Sequence, residues 1–210
     1  MKLLSLPLFP LGTVLFPGGI LALKVFEVRY LDMIGKCHKT GAPFGVVALR
    51  EGSEVRKPGA SERFVEVGTI ALIEQIERPQ PGLMLIRCLG TQRFGIESSR
   101  KLPHGLWVAD VTRLEDDAEV ALPTDLQRAA VALGKLIESL QLRGLPPDQL
   151  PLQAPFQLED CGWVANRWCE LLPLPLELRQ RLMALDNPLV RLELTVDILE
   201  RTGVLPDRSD

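Results

Sequence analysis

Three prolines and three glycines fall within residues 6–30, LPLFPLGTVLFPGGILALKVFEVRY, a segment otherwise dense in apolar side chains. Pro7, Pro10 and Pro17 each lack a backbone donor and have a fixed φ, and each biases the residue before it toward extended geometry. Helix is therefore excluded from most of the segment. Residues 3–9 and 13–16 are expected as short extended pieces broken by bends, and Ile20–Val25 follows as a clean strand. From Phe26 the apolar period becomes helical, which places Phe26, Tyr30, Met33 and Ile34 on one face. The chain leaves a sheet and enters a helix within a few residues.

The 210 residues, 46% hydrophobic and 24% charged, supply one generous domain or two small ones. A formal charge of −3 argues against a broad phosphate-binding surface, so nucleic acid is disfavoured as a partner. The opening Met1-Lys2-Leu3-Leu4 looks like the start of a secretory leader, but Pro7, Pro10 and Pro17 interrupt the apolar helix that a leader needs. No apolar run approaches the ~20 residues that cross a bilayer. A cytoplasmic protein without a membrane partner is the expectation. Cys37, Cys88, Cys161 and Cys169 form no CxxC pair, and His38 and His104 are the only histidines. Zinc-ligand spacing is absent and no cofactor is expected. Cys37 and His38 are neighbours whose side chains point in different directions, which fits a buried thiol beside a surface histidine better than a catalytic dyad.

Up to about Glu115 the pattern is β-rich. Residues 44–50 form a nearly continuous apolar strand, and residues 51–63 a charged connection expected as an exposed loop. Residues 70–76 and 83–89 flank Gln80-Pro81-Gly82, whose turn chemistry predicts an antiparallel hairpin. Residues 93–97 and 107–114 are further strands. Such short strands with regular turns predict an α+β protein built on a small β-barrel or strongly curved, mostly antiparallel sheet with one early helix. Glu115-Asp116-Asp117 is expected as a solvated linker. Beyond it, Thr124 and Gln127 have capping-box spacing ahead of a helical stripe from Leu126 to Leu140 that ends near Gly144. Residues 157–172 and 175–185 read as two further helices, and Asn187-Pro188 opens a last one that ends near Gly203. A small helical bundle results. The predicted organisation is 1–117 β-rich, 118–205 helical and 206–210 a tail.

The opening LPLFPL, FPG and FEVRY steps, together with Phe44-Gly45-Val46-Val47, Gly68-Thr69-Ile70-Ala71, Arg93-Phe94-Gly95-Ile96 and the later Leu172-Pro173-Leu174, resemble the amino-terminal domain of Lon proteases. The resemblance covers most of the chain. It implies a PUA-like β-barrel followed by a helical bundle, acting in substrate recognition on unfolded or client polypeptides. In complete Lon enzymes this domain precedes an ATPase module and a serine-lysine protease module. The resemblance is to a stand-alone form without them, which leaves room for a separate protease or ATPase partner. The residues agree. Residues 129–136 keep only Gly134-Lys135 of a P-loop, inside a helical stripe rather than after a strand. Ser98 and Lys101 match an SxxK spacing but are expected in a solvated polar turn, where the lysine is not desolvated. A non-catalytic peptide-binding module is the leading expectation, and a PUA-like nucleic-acid or small-ligand binder is the alternative.

Such a module needs exposed aromatics or methionine. Phe16, Phe26, Tyr30 and Met33, where the proline-rich start meets the first helix, and Trp163 in the helical half are the candidate peptide-binding residues. Glu27 and Arg29 do not share a helix face and are expected to make separate capping or anchoring contacts.

Overall fold

The computed structural model describes residues 1–52, 62–144, 146 and 150–206. The predicted loop over 51–63 lies largely outside the described residues, as do residues 145 and 147–149 of the connection after Gly144. The chain divides into two compact units, Met1–Asp116 and Asp117–Asp210.

Among the described residues the first unit contains seven strands and one helix: β1 (Lys2–Leu11), β2 (Ile20–Val25), α1 (Val28–Thr40), β3 (Phe44–Glu51), β4 (Arg63–Phe64), β5 (Val67–Gln80), β6 (Leu83–Lys101) and β7 (Trp107–Arg113). Pairing runs β1-β7-β6-β5-β3 and returns through a parallel β1–β3 ladder, all other pairs being antiparallel. The sheet is ring-like, and β2 stands off the ring, pairing among the described residues with β6. The first half of β6 lies between β5 and β2, and its second half pairs with β7, overlapping the β5 pairing at Phe94 and Gly95.

Pro7 and Pro10 do not break β1 as expected. A strand uses its donors alternately on its two sides, so a proline is tolerated where none is needed. The irregularity falls instead at Ser5, with φ 53°, where the register against β7 shifts and the displaced N–H of Ser5 donates to Asp110 Oδ1 at 2.8 Å. The expected hairpin is present: Pro81-Gly82 joins β5 to β6, and Gly82 has φ 79°. Residues 98–101, expected in a turn, instead continue β6, held against Asp110, Ala109, Val108 and Trp107 of β7.

β2 is placed by a second turn. Gly19 N–H donates to Phe16 O at 3.0 Å, with Pro17 at the first corner and Gly18 at φ 71° at the second, the pattern of a type II turn. Gly18 N–H donates to Gly90 O, and Gly90 N–H to Gly19 O, both at 2.8 Å. Two residues thus oppose one, a bulge that launches β2 along β6. The core beneath gathers Phe9, Leu11, Val25, Tyr30, Ile34, Phe44 and Ile86. The Phe9 and Tyr30 rings stack with centroids 4.0 Å apart. Phe26 precedes α1 rather than sharing its buried face.

The second unit holds a 3-10 turn at Thr124–Leu126 and helices α2 (Gln127–Leu142), α3 (Cys161–Leu171), α4 (Leu176–Ala184) and α5 (Pro188–Arg201). Their apolar stripes meet in a core of Leu126, Leu133, Val164, Ala165, Leu192, Val196 and Leu199. Asn187 caps α5, its Oδ1 accepting from Leu189 and Val190 N–H, with Pro188 in the first turn. The expected capping box at Thr124 is not made; the chain takes the 3-10 turn there, with no side-chain cap. α3 starts four residues later than expected, because Asp160 supplies the cap by accepting from Trp163 N–H at 2.7 Å. Asp117 is no solvated linker residue: it belongs to this unit and pairs with the buried Arg191 of α5.

Candidate functional site

In the first unit, a groove of about 290 Å³ runs beside β2. Phe9 and Leu11 of β1 form one wall, and Ala22, Leu23 and Lys24 of β2 the other. Phe26, Glu27 and Tyr30 close one end. The lining follows from the local fold: the strand alternates Leu21, Leu23 and Val25 toward the core against exposed Ala22 and Lys24, and the chain must then turn into α1. At that turn Phe26 stays 54% exposed, a large apolar side chain on the rim. Val28, at the start of α1, is 73% exposed.

The rim is anchored by a buried ion network. Arg29 is 5% exposed. Its Nε donates to Glu27 Oε2 at 3.0 Å, and its Nη1 to Glu62 Oε1 at 3.2 Å and to Gly105 O at 2.8 Å. Its guanidinium lies 4.5 Å from the Tyr30 ring centre. Glu27 and Arg29 therefore do meet, contrary to the helix-face argument, because Glu27 lies before the helix and its backbone is extended. Burial lowers the Arg29 pKa, but Tyr30, Glu27 and Glu62 outweigh it and leave it raised. Glu62 also accepts from Lys101 Nζ at 2.8 Å and Trp107 Nε1 at 2.6 Å.

Burial alone would push the Glu62 carboxyl up, but the hydrogen bonds from Lys101 and Trp107 and the charges of Arg29 and Lys101 hold it below its ordinary value of 4.5. The folded unit thus binds this proton less tightly than the unfolded chain. The stability this confers is present above the ordinary value and is lost as pH falls through the depressed one. Urea titration of the full chain, read by hydrogen exchange in β6 and β7, is expected to show a drop in midpoint below pH 4.5. Glu62→Gln should flatten that drop.

The remaining reactive side chains have other engagements. Ser98 Oγ donates to Asp110 Oδ2 at 3.4 Å, while Lys101 is committed to Glu62. All four cysteines are buried. Burial raises the Cys37 thiol, pushes Cys88 up to about 12, and takes Cys161 and Cys169 to about 11. Cys37 faces the interior and His38 is exposed. Among the described residues no group of three or more His, Cys, Asp or Glu could hold a metal ion.

Of the sequence candidates, the structure brings Phe26 and Tyr30 to the groove, Tyr30 only 3% exposed. Phe16 is fully buried under the type II turn and has no surface to offer. Met33, 3% exposed, lines a separate cavity of about 260 Å³ with Arg29 and Cys37. Trp163 belongs to the other unit, partly buried against Phe156 and Arg167. Phe9, Leu11 and Leu23 complete the groove. For Leu23 the signal was the alternation of β2, but which edge of that strand stays open is set by pairing with β6. A larger, shallower depression of about 670 Å³ lies on the second unit around Val131, Gly134 and Leu158, and the α2 backbone along it is satisfied within the helix.

A model of the ATP-dependent protease La (LON) substrate-binding domain family matches residues 5–201. The chain belongs to the Lon substrate-binding domain family. It is similar to a Lon N-terminal domain protein from Xanthomonas campestris of known crystal structure, with 32% identity, a TM-score of 0.71, and coverage of 93% of this chain and 98% of that one. The N-terminal domain of a Mycobacterium avium complex Lon protease shares the fold at 16% identity and a TM-score of 0.58, over 92% of this chain and 96% of that one. Lon protease of Anaeromyxobacter dehalogenans is 25% identical over 93% of this chain, and Lon protease 2 of Herpetosiphon aurantiacus 29% identical over 94%. This Lon domain spans 23% and 24% of those two proteases.

Proposed function

We propose that the chain is a non-catalytic, cytoplasmic recognition module that holds unfolded or client polypeptides, with any ATPase or protease chemistry supplied by separate modules. The observation that carries this reading is the apolar groove walled by Phe9, Leu11 and Leu23, with Phe26 standing half-exposed on its rim. An exposed aromatic over an apolar slot is what a surface for unfolded segments requires. Membership of a substrate-binding family supports the same reading.

Fluorescence anisotropy with labelled, reduced and carboxymethylated lactalbumin tests it, native lactalbumin serving as the folded control. Binding of the unfolded probe alone is expected. Phe26→Ala should weaken it about tenfold, roughly the 1–2 kcal/mol lost with an aromatic anchor. The melting temperature should stay within the small range of surface substitutions, about 0.5 kcal/mol. Equal binding of folded and unfolded probes would defeat the proposal.

A further inference from the structure

The bulge at Gly90 fixes which way every peptide group of β2 points. Gly90 exchanges its hydrogen bonds with Gly18 and Gly19, so the Gly19–Gly90 position is a bonded pair. Antiparallel ladders alternate bonded and non-bonded pairs. The register Leu21↔Cys88, Leu23↔Ile86 and Val25↔Met84 therefore carries the bonds to β6. Ile20, Ala22 and Lys24 direct their N–H and C=O groups the other way. Among the described residues no strand pairs with that edge. It is the edge that borders the groove, since Ala22 and Lys24 line it opposite Phe9 and Leu11.

We infer that an unfolded polypeptide segment docks there as an added strand on β2, a mode that rests on the polypeptide-binding reading above. Three outward residues alternating over a six-residue strand match a partner of about six extended residues. An added strand places alternate side chains on the face of Leu21, Leu23 and Val25, toward Phe9, Leu11 and Tyr30. These positions take apolar residues. The intervening positions share the face of exposed Lys24, which favours an acidic or polar residue. Recognition is then mainly through the main chain and tolerant of sequence, as suits diverse clients. A segment of unfolded chain also fits better than a second folded copy, whose edge would bring its neighbouring strands against the β1 wall.

The test uses the full chain and a labelled eight-residue peptide alternating Leu or Val with Thr or Glu, in three forms: unmodified, and N-methylated on one or the other alternate set of amides. An added strand uses only one set. One methylated form should lose at least about tenfold in affinity, equivalent to about 1.4 kcal/mol, and the other should bind like the parent. Ala22→Pro removes one outward donor at an edge position that tolerates proline, and should weaken the parent peptide similarly without lowering the melting temperature. Equal affinities for the two methylated forms would overturn strand addition even if the parent peptide binds in a Phe26-dependent way, and polypeptide binding through side chains would stand. No binding of the parent peptide or of unfolded lactalbumin would overturn both readings. A concentration-dependent dimer abolished by Ala22→Pro, with no asymmetry between the methylated peptides, would assign the edge to a second copy and overturn the inference.

Discussion

Replacing Arg191 with leucine is expected to destabilise the helical unit by about 3–5 kcal/mol, the cost of breaking a buried pair by removing one partner. Arg191 is 1% exposed. Its Nη2 donates to Asp117 Oδ1 at 3.1 Å and its Nη1 also meets Asp117 Oδ2, a two-pronged pair. Nη1 reaches Asn166 Oδ1 of α3 at 3.0 Å, and Nε reaches Leu182 O at 2.9 Å, while Nη2 also contacts Leu185 O. Leu182 and Leu185 lie at the end of α4, where Leu182 O also accepts from Leu185 N–H at 3.3 Å. A single guanidinium thus terminates α4, joins it to α3 and α5, and holds the start of the unit at Asp117. Leucine would take its paired charge from the part-buried Asp117 carboxylate and the guanidinium donors from Leu182 O and Leu185 O. Arg191→Lys keeps the charge without the planar fork and should fall between. Hydrogen exchange of the full chain, compared between α3–α5 and the strands, reads this out. A loss under about 1 kcal/mol would show that the network is not what holds the helices together.

Gly90→Ala is the second large effect, at about 3 kcal/mol or more, and it should abolish polypeptide capture. A Cβ at Gly90 would lie 2.3 Å from Phe16 O and 2.8 Å from Leu15 Cγ. Overpacking ordinarily costs about 1–3 kcal/mol because neighbours shift. Here the nearest neighbour is a backbone carbonyl already accepting from Gly19 N–H, and Gly90 itself is bonded to Gly18 and Gly19. The relief available is to pull β2 off β6, and with it one wall of the groove. Gly82→Ala is the comparison. At φ 79° with no atom within 4 Å, it meets only the conformational penalty of about 1–2 kcal/mol. Melting curves and anisotropy for the two variants separate crowding from backbone strain.

These two sites show what the sequence made legible. The span of β2, the Pro81-Gly82 hairpin and the Asn187-Pro188 start of α5 could be read because each depends on neighbours within a few residues. The Phe26 environment, the Glu27–Arg29 contact and the role of Asp117 could not. Each is decided by a partner far along the chain or by the last residue before a helix, where a one-position error in the start reverses the face. The ring of strands was legible only as a curved sheet. Its parallel β1–β3 ladder joins residues more than thirty positions apart, and β6 continues through a stretch whose polar residues resemble a turn. The groove itself is a product of pairing: alternation identifies the two sides of β2 but not which of its edges is left over.

The burial of the thiols gives each unit an internal clock. Protonated and sealed at neutral pH, Cys88 lies across from Leu21 on β2, while Cys161 and Cys169 sit within α3. An alkylating reagent reaches a cysteine only after its surroundings have opened, so the order of capture along the chain records which half loosens first and how long β2 stays on its neighbour.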